Sequence, residues 1–190
     1  NASAVGYYGS RGDEVLTESS APGTDFLARV CIEWEREAMG AERAGARVVL
    51  LRTGLVLARE GGALPPLLLP FRLFVGGPLG SGRQYWPWIH RDDWVALARF
   101  LARTPAAGGP FNLTAPAPAT NRELSAALGR VLKRPSLLPT PAFALRILLG
   151  EMADALLLAS QRAIPERALA MGFRFTYTEL EPALRAAMGG

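Results

Sequence analysis

The sequence has few of the residues that build disulfides, metal sites and lysine-dependent active sites. Its 190 residues include one cysteine, Cys31, and one histidine, His90. These counts exclude a disulfide within one chain and any metal site of several Cys or His ligands. Lys133 is the only lysine among 21 basic residues. No apolar run reaches the roughly 18 residues of a membrane span, and residues 1–5 lack the features of a signal peptide. We therefore expect a cytoplasmic protein with no membrane partner.

The composition is that of a folded domain with a modest basic excess. Hydrophobic residues make up 49% of the chain and the mean hydropathy is +0.14, which is enough for a sizeable core. The net charge of +4 arises in residues 101–190, where ten basic residues face six acidic ones. These basic residues are scattered, whereas nucleic-acid sites are usually dense and interleaved with aromatic residues. We expect no nucleic-acid partner.

The first 57 residues predict a strand, a helix and a second strand. Residues 2–8 are apolar and run into a loop, and residues 25–44 carry apolar side chains at helical spacing. The following Val48, Val49, Leu50 and Leu51 form an aliphatic run without alternation, which is typical of a strand in a parallel sheet. This order predicts an α/β fold built on a doubly wound parallel sheet.

The rest of the chain divides into a long loop, further αβ elements and a helical end. Residues 60–85 are rich in glycine and proline and predict a functional loop. A helix over residues 94–103 is expected, with Asp92 or Asp93 as its cap. Thr120 and Glu123 form a capping box for another helix. From residue 135 the chain is rich in Leu and Ala, so we predict a domain over residues 1–134 and a small helical extension over 135–190.

Several residues are candidates for chemistry, each with a plainer alternative. Ser3 could be a nucleophile only with a base beside it, and none is adjacent. His90, next to two aspartates, could be a general base or a packed imidazole. Arg83, Gln84 and Trp86 lie in the long loop and could line a small-molecule pocket or simply pack that loop onto the domain. Glycines 6, 9 and 12 are spaced like a dinucleotide fingerprint, but no helix follows them directly.

Several segments together resemble one protein family. They are residues 3–9 (SAVGYYG), 52–57 (RTGLVL), 61–64 (GGAL), 70–72 (PFR), 76–82 (GGPLGSG), 88–90 (WIH) and the Ala153, Leu156 and Leu157 pattern. They resemble the epimerase-family proteins of the extended short-chain dehydrogenase/reductase group, a Rossmann-fold branch with its own C-terminal helical extension. The resemblance implies that this chain is the C-terminal portion of a longer protein and that the N-terminal dinucleotide-binding half is missing. That half would then be a partner, and a homo-oligomer is left open.

The resemblance implies a cofactor but departs from the family in its catalytic residues. It implies NADP or NAD, with the backbone around Leu55 and Val56 holding the nicotinamide carboxamide. Classical members use a Tyr-x-x-x-Lys pair, which occurs nowhere in this chain. Their usual serine fits Ser3 only with a one-residue shift. The proton relay of the family is therefore in doubt.

A second departure concerns the substrate. Nucleotide-sugar epimerases carry an arginine where this chain has Trp86, and a neutral ring cannot bind a pyrophosphate through two parallel hydrogen bonds. Arg83, three residues before Trp86, could take the place of the family's pyrophosphate-binding arginine. We nevertheless expect a smaller or more apolar ligand. Two functions stay open: an NAD(P)-dependent epimerase or oxidoreductase with atypical catalytic residues, and a catalytically silent NADP-binding sensor or interaction protein.

Overall fold

The fold is built from nine short strands and seven α-helices within residues 1–189, the part of the chain that the computed structural model describes. The strands are β1 (Ala2–Ala4), β2 (Val15–Leu16), β3 (Val49–Thr53), β4 (Leu55–Leu57), β5 (Tyr85–Trp86), β6 (Trp88–His90), β7 (Gly109–Leu113), β8 (Ala119–Thr120) and β9 (Arg162–Ala163). The helices are α1 (Phe26–Met39), α2 (Leu64–Arg72), α3 (Arg91–Arg103), α4 (Asn121–Leu132), α5 (Ala142–Leu149), α6 (Glu166–Ala170) and α7 (Leu180–Ala187).

A three-stranded parallel sheet lies at the centre, in the order β1–β3–β7. Ala2 pairs with Leu51, and Val49 pairs with Gly109. On one face of β3, Leu50 is buried. On the other face, the half-buried Val49 and Leu51 pack against the core beneath α3. The aliphatic run of β3 thus contributes to packing on both sides of the sheet, as expected for a parallel strand that is covered on both faces.

Three further two-stranded sheets accompany this central sheet. β4 runs parallel to β6, β5 runs antiparallel to β8, and β2 runs parallel to β9. The last pair joins residues 15–16 to residues 162–163, and α7 packs on α4. Because elements from both sides of residue 134 pack together in this way, the division of the chain into two domains stays a prediction.

The predicted loop over residues 60–85 is wrong in its first half, where α2 forms. Pro65 and Pro66 occupy the first turn of α2, where the missing N–H of proline leaves no helical hydrogen bond unmade. Pro70 lies inside the helix. The prolines and flanking glycines indicated a loop, whereas Leu64, Leu68 and Phe71 bury one face of a helix in the core.

Other local predictions need smaller corrections. The strand that begins at Ala2 ends at Ala4 and continues as a 3₁₀ turn. Within the predicted helical extension, Ala153–Leu158 forms a π-helix. Helix α3 begins three residues earlier than expected, because His90 caps it instead of an aspartate. The capping box of Thr120 and Glu123 is confirmed.

Candidate ligand cavity

A cavity of about 650 Å³ lies at the carboxyl ends of β1 and β3. Ala4 and Thr53, the last residues of these two strands, form its floor. Helix α1 forms one wall, α2 a second, and α5 with the π-helix a third. Ligands of parallel α/β sheets bind outside the carboxyl ends of the strands, so the cavity lies where this architecture places a binding site.

Gly54 shapes the floor of this cavity. It separates β3 from β4, and a Cβ atom on it would lie 2.3 Å from the carbonyl oxygen of Pro87. The neighbouring Leu55 N–H donates to that same oxygen at 2.7 Å. The close approach of the two backbones therefore requires glycine and holds β4 beside β6.

Among the residues that the structure describes, none that lines the cavity carries a charged side chain. Apart from two tryptophan rings, its polar side chains are Cys31, Thr53 and Gln161. The Thr53 hydroxyl is already used, since it donates to Leu51 O and accepts from Trp94 Nε1, both at 3.2 Å. Burial raises the pKa of the Cys31 thiol, which keeps it protonated at neutral pH. The residues of α1 that line the cavity are Leu27, Val30, Cys31 and Trp34, so α1 supplies neither the tyrosine nor the lysine of the classical pair.

Ser3 lies behind the sheet in a buried polar network instead of in the cavity wall. Its hydroxyl donates to Glu35 Oε1 at 2.7 Å. Arg52 Nε and Nη2 donate to the two oxygens of the same carboxylate at 2.8 and 2.7 Å. Tyr8 joins the network, because its hydroxyl accepts from Arg52 Nη1 at 3.0 Å and donates to Asn112 Oδ1 at 2.7 Å.

The charges in this network are compensated. Burial opposes the charged form of Arg52, but the hydrogen bonds with Glu35 raise the pKa of its guanidinium above the ordinary value. Arg52 therefore stays charged inside the protein. Burial raises the pKa of Tyr8, despite the neighbouring guanidinium. The network joins α1 to β1, β3 and β7 and accounts for the burial of Ser3. The catalytic role of Ser3 stays a prediction.

Two of the predicted site residues are in the cavity wall and two are next to it. Leu55 and Trp86 line the cavity. The side chain of Val56 packs with the core beneath α3. Gln84 is buried, and its amide nitrogen donates to Leu79 O and Leu157 O, both at 3.0 Å. Gln84 thereby ties the loop to the π-helix and has no donor left for a ligand.

Arg83 and Trp86 differ from Gln84 in their surroundings. The side chain of Arg83 is exposed and is not part of the wall. Trp86 also belongs to the main core cluster, and its buried indole nitrogen has no partner within residues 1–189.

His90 lines a separate cavity of about 220 Å³. Its Nδ1 accepts from the Asp92 N–H at 3.2 Å, and its ring stacks on Tyr177 with 3.9 Å between ring centroids. Burial lowers the pKa of His90, although Asp92 and Asp93 oppose that shift.

Gln161 is the cavity residue that sequence reasoning missed. It is half-buried, and none of the hydrogen bonds within residues 1–189 involves its side-chain amide. No local motif marks it. Its backbone N–H donates to Tyr85 O, and the next two residues form β9, which pairs with β2. Both contacts join segments far apart in the sequence.

Two further observations concern metal binding and the crossing of membranes. Within residues 1–189, no three His, Cys, Asp or Glu side chains are grouped so that they could hold a metal ion. No helix in that range is long and apolar enough to cross a lipid bilayer.

Comparison with known proteins identifies the relatives of the chain. A family model described as "Domain of unknown function (DUF1731)" matches residues 140–187. Epimerase family protein Mb2239 of Mycobacterium bovis is 47% identical over 184 residues, which are 97% of this chain and 61% of that protein. The chain thus spans about three fifths of the length of this curated relative.

Two solved structures share the fold. Human epimerase family protein SDR39U1 (isoform 2), solved with NADPH, superposes with a TM-score of 0.88 at 34% identity, over 99% of this chain and 64% of that one. A nucleoside-diphosphate sugar epimerase from Corynebacterium glutamicum gives 0.81 at 36% identity, over 99% of this chain and 36% of that one. These matches confirm the Rossmann-like α/β fold and show that the chain is homologous to epimerase family proteins.

Proposed function

We propose that this chain forms the substrate-binding part of an NAD(P)-dependent protein of the extended short-chain dehydrogenase/reductase group. One observation carries the proposal: the large cavity lies at the carboxyl ends of β1 and β3, where α/β folds of this kind bind nucleotide cofactors and their substrates. The human relative solved with NADPH supports NADP over NAD. The proposal includes a cytoplasmic location and leaves self-association open.

The residues at the cavity floor are suitable for a nicotinamide ring. Leu55 borders the cavity, and Val56 follows it on β4. The flat face of a reduced nicotinamide ring packs against aliphatic side chains, and backbone groups around these two residues would hold its carboxamide. When bound, the cofactor would supply a hydride. The protein would exclude water and orient the substrate beside the ring.

The cavity wall favours a second candidate as well. Among the described residues that line it, Cys31 is the only side chain that titrates in an accessible range, and burial raises the pKa of that thiol. A general acid or base works best with a pKa near the operating pH. A wall without such a group is suited to a sensor that binds NADP without turning over a substrate.

A titration of the complete gene product with NADPH and with NADH separates these candidates. Binding of NADPH with hydride transfer to at least one member of a panel of uncharged ketones and aldehydes supports the enzyme. Tight NADPH binding with no transfer to any of them supports the sensor. Absence of binding to both dinucleotides contradicts both candidates.

A further inference from the structure

We propose that the cavity accepts an uncharged, mostly apolar molecule with one carbonyl or hydroxyl group, and that the side-chain amide of Gln161 orients this group. The inference rests on the proposed function, because it names the substrate class of the same cavity. It assigns a specificity-determining role to a residue that no sequence motif marks.

The absence of charge in the wall sets the substrate class. A diphosphate buried in the cavity would lose its hydration, and that loss is offset only by cationic or densely hydrogen-bonding groups. No Asp, Glu, Lys, Arg or His side chain lines the cavity in the described part of the chain. Arg83, three residues before Trp86, is exposed to solvent. A sugar diphosphate would therefore find no ionic partner, whereas an apolar molecule would gain by leaving water.

The position of Gln161 is fixed by its backbone. Its N–H donates to Tyr85 O at 3.1 Å. The preceding Ser160 is held on two sides, because its hydroxyl accepts from the Tyr85 N–H at 2.9 Å and its own N–H donates to Ser10 Oγ at 3.1 Å. These bonds place the side chain of Gln161 at the cavity edge without using its amide.

The two glutamines of the chain differ in this respect. Gln84 has committed its amide nitrogen to two carbonyl oxygens, whereas the Gln161 amide makes no hydrogen bond within residues 1–189. A primary amide offers both N–H donors and a carbonyl acceptor. It can therefore bind the oxygen of a ketone or aldehyde and also the hydroxyl formed when that carbonyl is reduced.

Nile red, an uncharged apolar dye with a carbonyl group, tests the inference by fluorescence titration of the complete gene product. We expect saturable binding of one dye per chain. Val30→Trp, which fills the cavity from the half-buried face of α1, should weaken binding at least tenfold. Gln161→Leu should weaken it roughly two- to tenfold, the effect of losing one hydrogen bond. Arg99→Trp, on the exposed face of α3, is the matched control and should leave binding unchanged.

Different results overturn different parts of the inference. Displacement of Nile red by millimolar UDP-glucose would overturn the uncharged substrate class. Equal dye affinity of the wild type and Gln161→Leu would overturn the role of Gln161, and equal affinity of Val30→Trp would show that the dye binds elsewhere. NADPH binding is measured separately on the same samples. Failure of NADPH to bind would contradict the proposed function, whereas dye binding tests only the character of the cavity.

Discussion

The Arg52 guanidinium and the Glu35 carboxylate form an ion pair through two hydrogen bonds, and their side chains are only 4% and 8% exposed. The pair joins β3 to α1 behind the floor of the cavity. Removal of one partner from a buried pair leaves an uncompensated charge in the interior, which costs about 3–5 kcal/mol. The position of α1, and with it one wall of the cavity, therefore depends on this pair.

Glu35→Ala should lower the free energy of unfolding by about 3–5 kcal/mol, as measured by urea denaturation. The double variant Glu35→Leu with Arg52→Met should recover more than half of that loss, because it buries apolar groups instead of a lone charge. A change below about 1 kcal/mol in Glu35→Ala would show that water reaches the guanidinium in solution.

Ser3→Ala should lower the free energy of unfolding by about 0.5–1.5 kcal/mol, since it removes one buried hydrogen bond to Glu35. Because Ser3 does not line the cavity, the affinities for NADPH and Nile red should not change. Urea denaturation and the two titrations measure these effects. A loss of hydride transfer of a hundredfold or more at unchanged stability would instead support the catalytic role predicted from the sequence.

Trp86→Arg should destabilise the protein severely, by more than about 3 kcal/mol, because Trp86 belongs to the main core cluster and an arginine there would be buried without a partner. Trp86→Phe keeps an apolar ring and should cost less, about 1–3 kcal/mol. Differential scanning calorimetry of both variants tests this order. A Tm for Trp86→Arg close to that of the wild type would show that the ring lines the cavity without supporting the core.

The protein should lose stability as the pH falls below about 6.5, the ordinary pKa of histidine. Burial lowers the pKa of His90, so below this pH the unfolded chain binds a proton that the folded chain does not, and protonation favours unfolding. His90→Asn keeps a capping side chain for α3 but does not titrate, so its free energy of unfolding should fall less between pH 7.5 and 5.5. Equal slopes for both proteins would contradict the assignment, since His90 is the only histidine.

The sequence predicted the elements whose signals are local. The apolar run of β3, the helical spacing of α1 and the capping box of α4 each depend on neighbouring residues. Helix α2 was missed because proline and glycine suggest a loop, although proline is tolerated in a first helical turn. The cap of α3 was assigned to an aspartate, but Asp93 instead accepts the backbone N–H groups of Thr176 and Tyr177 at 2.9 and 2.8 Å. That contact spans more than 80 residues and leaves no local pattern.

The candidate site was predictable only in part for the same reason. Leu55 lies in the segment 52–57 that resembles the family, and Trp86 lies between the segments 76–82 and 88–90. Both residues line the cavity. Ser3 was considered as a nucleophile from its residue type and from the resemblance to the family's serine. Its hydrogen-bond partner Glu35, 32 residues away, cannot be identified from the sequence alone. Gln161 was missed because it reaches the cavity through contacts that are distant in sequence, among them its N–H bond to Tyr85 O. The absence of a Tyr-x-x-x-Lys pair, by contrast, is a property of the sequence itself and needs no structure to be seen.

The bond from the Ser160 N–H to Ser10 Oγ joins positions 150 residues apart, and β9 completes β2 in the same region. During translation, at roughly 5–20 residues per second, the segment near Ser10 would wait about 8–30 s for these contacts. Until then the polar groups of the β1 exit remain hydrated and the cavity lacks the wall that carries Gln161. Folding of this region is thus governed by the late arrival of a distant segment, and premature release of the nascent chain before residue 164 would leave the binding site open on one side.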